Sequence, residues 1–256
     1  IEDLNLLSRL SGLKHFSIST PIVGIPVLVP VPKKVTFIII TKFKIFSMQL
    51  SIRVIKFVKN YCNGSFIKGD KEFEKLLSVK DKALRINLND NIYGTFAEIG
   101  AGQEVARHFF RAGGASGTIA KTMSAYDKGF SNAIYGEEHD NRFVTKSRLT
   151  KMLNHEINLL ENRVSRDDNP EKMFFSFANT VATIDFAKKF KGHGWMGIKF
   201  QTDSSEDYSE IQMHIRFHVN DAKTQQELLG VMGVNLIYGA YYKYNKPRSL
   251  IRYLYD

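Results

Sequence analysis

The stretch TFAEIGAGQEVARHFFRAGGASGTIAK, Thr95 to Lys121, holds five glycines in a run that reads as strand, turn, helix and second turn. Ile92–Ile99 predicts a short buried strand that ends where Gly100 and Gly102 begin. Gln103–Arg111 then sets Val105, Ala106, Phe109 and Phe110 on one side of a helix. A strand entering a G-x-G turn and leaving as a helix presents backbone N–H groups to an anion. Glu98-Ile99-Gly100-Ala101-Gly102 therefore begins like both a dinucleotide fingerprint and a methyltransferase motif. Both patterns then break: Val105 stands where the fingerprint wants a third small residue, and Glu104 where the methyltransferase pattern wants glycine.

The second turn, Gly113-Gly114-Ala115-Ser116-Gly117-Thr118, has no acid, offers two hydroxyls and is flanked by Arg111 and Lys121. Thr118 occupies the position where a P-loop needs its lysine, so a Walker loop is excluded. Two readings remain: an anion nest built on Gly113, Gly114, Ser116, Gly117 and Thr118, or a helix C-cap with a tight turn.

Around this unit the pattern is that of a mixed α/β domain, a sheet with helices packed on it. Thr145–Val164 predicts a helix with one apolar stripe, Leu149, Met152, Leu153, Ile157, Leu160 and Val164, and Thr145 as its N-cap. Phe174–Phe177 and Thr180–Ile184 predict two short strands, and Gly192-His193-Gly194 a turn. Glu210–Val219 alternates apolar and polar without a break and predicts an antiparallel pair with Trp195–Gln201. Asp221 caps a helix to about Tyr238, and Pro247 opens a last one that runs to Asp256, so a fragment of a larger protein is expected.

The net charge of +10 is unevenly placed. Residues 1–80 hold 13 Lys and Arg against 5 Asp and Glu, whereas residues 81–256 hold 23 against 21. The folded part is thus nearly neutral, which argues against a nucleic-acid partner. No acid occurs between Asp3 and Asp70, and four of the six prolines fall at Pro21, Pro26, Pro30 and Pro32. Those prolines break the one apolar run, so neither a transmembrane helix nor a signal peptide is expected, and no membrane partner. The composition predicts instead that residues 1 to about 47 are upstream sequence read through in frame, with residues 1–69 non-native or disordered and 70–256 the α/β domain. The single Cys62 excludes an intrachain disulfide and fits a cytoplasmic setting.

No metal-binding pattern emerges. His155-Glu156 begins like H-E-x-x-H, but Leu159 replaces the second ligand. His214 and His218 lie about 13 Å apart along a strand, too far to share an ion. Arg216 makes their face cationic, suited to an anionic substrate or simply to water. His193, between two glycines, and Asp185, at the end of an apolar run, are the acid/base candidates.

The segments FAEIGAGQEVARHFFRAGGASGTIAKTMSAYDKGFSNAIYG, FFSFANTVATIDFAKKFKGHGWMGIKFQ and QQELLGVMGVNLIYGAYYKYN resemble a family of uncharacterised bacterial proteins found especially in Bacteroidetes. The resemblance covers about 81–256. Members carry the labels nicotinate-nucleotide adenylyltransferase or TonB-dependent receptor. The first label implies a nucleotide and nucleotidyl transfer, although His193-Gly194-Trp195 lacks the second histidine of an H-x-G-H motif. The second implies a barrel, against the helix at Thr145–Val164. The expectation is a cytoplasmic α/β enzyme that binds a nucleotide or another phosphorylated small molecule, with Gly100, Gly102, Arg111, the second turn, Lys121 and Arg216 as binding residues. The alternative is a non-catalytic homo-oligomer in which Gly230, Gly233 and Gly239 let a partner helix pack closely.

Overall fold

The computed structural model describes residues 35–40, 50–59, 77–187 and 190–255. In chain order the elements are β1 (Val35–Ile40), β2 (Leu50–Lys59), α1 (Val79–Asn87), β3 (Ile92–Gly100), α2 (Gln103–Ala112) and β4 (Ile119–Ser124). They continue with α3 (Lys128–Tyr135), α4 (Lys146–Arg163), β5 (Met173–Ala182), β6 (His193–Phe200), β7 (Ser209–Phe217), α5 (Ala222–Tyr242) and α6 (Pro247–Tyr255). The strands form one mixed sheet in the order β1-β2-β7-β6-β5-β3-β4. β3 runs parallel to both β4 and β5, and every other pairing is antiparallel. This is the mixed α/β architecture that the sequence predicts, including the antiparallel β6–β7 pair. Of residues 1–69, β1 and β2 belong to the sheet; the read-through reading otherwise falls outside the described residues.

β3 carries the fold because it is buried on both faces, as a parallel strand covered by helices must be. Even-numbered Phe96 points to the face covered by α2 and α5, where it meets Phe109, Phe175 and Phe177 at ring separations of 5.2, 5.6 and 5.8 Å. Such aromatic pairs add about 1 kcal/mol each beyond the area they bury. Odd-numbered Ala97 and Ile99 point to the other face, onto Leu149, Met152 and Leu153 of α4.

Helix ends follow local chemistry. Ser78 and Asp81 form a reciprocal capping box at α1. Asp127, Thr145 and Asp221 each accept a backbone N–H from the first turn of α3, α4 and α5.

Three local expectations change. Phe174–Phe177 and Thr180–Ile184 merge into the single strand β5, because in-register pairing to β3 and β6 on both sides carries it through Ala178 and Asn179. His193 is the first residue of β6 and pairs with Ala182, so it is fixed by the sheet instead of riding in a turn. α3 has no counterpart in the sequence reading. Eight residues with Gly129 inside give too short an apolar period to register.

The glycines of α5 also find internal partners. A Cβ at Gly230 would lie 2.8 Å from Glu104 Cβ, at Gly233 2.4 Å from Val105 Cγ2, and at Gly239 2.5 Å from Leu250 Cδ1. α2 and α6 therefore occupy the close-packing surface that the homo-oligomer reading assigned to a partner. Val105 is resolved by the same contact: the small residue needed beside it comes from Gly233 of α5, not from the G-x-G turn.

Candidate functional site

The parallel strands β4, β3 and β5 end at one edge of the sheet. The connections leaving them there, Ala101–Gly102 into α2, Ala125–Asp127 into α3 and the segment from Thr183 on, enclose a cleft of about 420 Å³. A crevice at the carboxyl ends of parallel strands is where α/β sheets collect loop-borne chemistry. Its lining includes Gly100, Gln103, Lys128, Ser131, Phe143 and Asp185.

Gly100 and Gly102 shape one wall. Their φ angles are +80° and +140°, and side chains there would strike β5: a Cβ at Gly100 lies 2.2 Å from the Val181 carbonyl oxygen. At Gly102 the obstacle is Asn179, whose amide would be 2.2 Å away. Both glycines are thus required for packing before any ligand is considered. The turn nonetheless delivers the N-terminus of α2 to the cleft, and no side chain caps it. Gln103 Nε2 folds back to the Gly100 carbonyl at 2.7 Å and to Ser124 Oγ at 3.2 Å. Glu104, the acid of this first turn, pairs with Arg107 at 2.9 Å and lays its Cβ against α5.

α3 forms the opposite wall. Lys128 and Ser131 stand one turn apart on the same helix face, so both reach the cleft. Beneath them the buried Arg148 donates to the Ser131 carbonyl at 3.4 Å and to Asn132 Oδ1 at 2.7 Å, with Glu138 3.5 Å from its Nε. This cluster fixes α3 on α4. Two carboxylates also lie at the cleft, and each is engaged by backbone: Asp127 Oδ1 accepts from Phe130 N–H and Asp185 Oδ1 from Phe190 N–H.

Glu98 and Asn179 are Cα partners across β3 and β5. Both are buried, neither Asn179 amide atom has a hydrogen-bond partner, and burial pushes the Glu98 carboxyl up to about 7. Sequence reasoning missed Asn179. Only the parallel register reveals their pairing.

The second glycine turn closes the C-terminus of α2. Gly113 and Gly114 terminate α2, and Asn87 Nδ2 donates to the carbonyls of Phe109 and Gly113 at 2.9 and 2.7 Å. This is the negative end of the helix dipole, closed by a side-chain donor. The amide of Thr118 is taken by Ala115, and Gly113 and Gly117 face open space, as does exposed Ser116. The turn also precedes β4, at the edge of the sheet away from the cleft. Arg111 stays exposed on α2, and Lys121 turns to α4, where its Nζ lies 2.7 Å from Glu156 Oε2. That contact is ionic, not a well-directed hydrogen bond; Tyr135 donates to the other Glu156 oxygen at 3.0 Å.

His193 is half-separated from Asp185. It lines an adjoining hollow of about 500 Å³, which shares Lys128, Phe143 and Val144 with the cleft. Burial, and then the Arg216 guanidinium on the facing strand, lowers the His193 pKa, which keeps the imidazole neutral near pH 7. Arg216 thus acts on His193 and is not part of the cleft lining. Among the described residues no cluster of three or more His, Cys, Asp or Glu is placed to hold a metal, and no helix is long and apolar enough to cross a membrane.

No protein-family model matches the chain, and no curated protein matches it. Solved structures do resemble it. The competence/damage inducible protein CihA of Agrobacterium tumefaciens is 13% identical, with 68% of this chain and 94% of that chain covered and a TM-score of 0.41. A competence-damaged protein (CinA) superfamily protein of Enterobacter cloacae gives 9% identity, 68% and 99% coverage and 0.44. One from Escherichia coli gives 10%, 62%, 88% and 0.42. The site rests on its own residues.

Proposed function

We propose that the chain binds a phosphorylated small molecule in the cleft at the carboxyl ends of β3, β4 and β5, in a cytoplasmic setting. The observation that carries this reading is the N-terminus of α2, which meets the cleft with no side-chain cap. A helix N-terminus without a side-chain cap favours an anion by about 0.3–1 kcal/mol in exposed geometry, and by more when partly enclosed. Lys128 supplies the cationic side chain, and the two carboxylates of the cleft are already engaged by backbone amides. The binding locus thus moves from the second glycine turn to the first, with Gly100 and Gly102 retained and Arg111, Lys121 and the second turn set aside.

A nucleotide is the member of this ligand class that the resemblance to adenylyltransferase-labelled proteins favours, and the cleft volume accommodates one with part of it in the adjoining hollow. A ligand crossing Phe143 in this way would lie between Asp185 and neutral His193, which gives those two residues acid/base roles on one molecule. Calorimetric titration with nucleoside and sugar phosphates tests the reading. Binding that is lost in Lys128→Ala and kept in Arg111→Ala is expected; no binding of any phosphate compound at millimolar concentration would reject it.

A further inference from the structure

Ser131 lines the cleft and carries an unused buried hydroxyl. The residue is 1% exposed, and its Oγ has no hydrogen-bond partner. A serine inside a helix usually returns its hydroxyl to the carbonyl four residues back. Here the Asp127 carbonyl takes only the Ser131 backbone N–H, at 2.9 Å. The carbonyl of Ser131 is itself met by Arg148, so the backbone carrying the hydroxyl is held from below. A buried hydroxyl without a partner destabilises the free protein. A ligand oxygen at the cleft floor removes that penalty.

Building on the cleft assignment above, we propose that Ser131 is a ligand-contacting residue that donates its O–H to an oxygen of a terminal phosphate group. Three kinds of donor then surround the phosphate from different directions: the N-terminal amides of α2, the Lys128 ammonium and the Ser131 hydroxyl. Lys128 and Ser131 share one face of α3, and α2 approaches from the other wall. A terminal phosphate has three free oxygens to meet these donors. A carboxylate has two, so the site selects phosphate monoesters over carboxylates.

The test is a titration of the full chain with inorganic phosphate, followed by 31P NMR, with acetate as the carboxylate control. Ser131→Ala is expected to weaken phosphate binding about tenfold, the scale of one hydrogen bond to a charged group. It should leave Tm unchanged or raised, because alanine favours the helix and removes the unpaired hydroxyl. Ser131→Thr, which keeps the hydroxyl, should restore binding. Ser131→Cys, of similar size with a weak donor, gives the same comparison should the alanine variant unfold. Equal phosphate affinity in wild type and Ser131→Ala, with loss in Lys128→Ala, would overturn the role of Ser131 and leave the cleft assignment standing. No phosphate binding by the wild type would remove both.

Discussion

The side-chain amide of Asn179 lies against the Cα of Gly102, so closely that a methyl group there would stand 2.2 Å from Nδ2. This contact joins β5 to the entry of α2 and holds the mouth of the helix at the cleft.

Gly102→Ala should therefore destabilise the fold by about 2–4 kcal/mol, combining a clash with a φ of +140° that alanine rarely adopts. Urea denaturation measures it. Gly113→Ala, where a Cβ meets nothing, should show only the milder effect of its positive φ.

Glu98 makes stability depend on pH. Its folded pKa, about 7, is above the unfolded value near 4.5, so the folded state holds the proton more tightly. The associated stability is complete below pH 4.5 and is lost as pH rises through 7, by up to about 3 kcal/mol. Glu98→Gln should abolish this slope in denaturant melts between pH 5 and 8. An unchanged slope would show that another group titrates there.

Lys121→Met should leave Glu156 buried without its cation and destabilise the protein by about 2 kcal/mol, discounted because a third of the lysine side chain reaches solvent. Phosphate affinity should not change, since Lys121 faces α4 and not the cleft. A loss of binding without a loss of stability would return Lys121 to the site.

Gly233→Val should be among the most destabilising substitutions in α5, by about 3 kcal/mol or more, because Val105 already fills the space. Thermal melts across a range of protein concentrations check this together with the oligomer question. A Tm that falls equally at all concentrations matches an internal contact; a fall confined to high concentration would restore the partner-helix reading.

The sequence by itself determined the class of fold and most of its elements. The β3 turn α2 unit, the stripe of α4, the alternation of β7 and the caps at Thr145 and Asp221 all follow from periodicity and local hydrogen bonding, which act within a few residues. It also placed Gly100 and Gly102 correctly at the junction of a buried strand and a helix. The tertiary structure decided which glycine turn meets the cleft, since the two look alike locally but lie at opposite ends of parallel strands. One carries the amides of a helix start, the other the carbonyls of a helix end closed by Asn87. Asn179, Ser131 and Lys128 became visible only there as well, because what marks them is register across β3 and β5, burial under a neighbouring helix, and a shared cleft between elements distant along the chain.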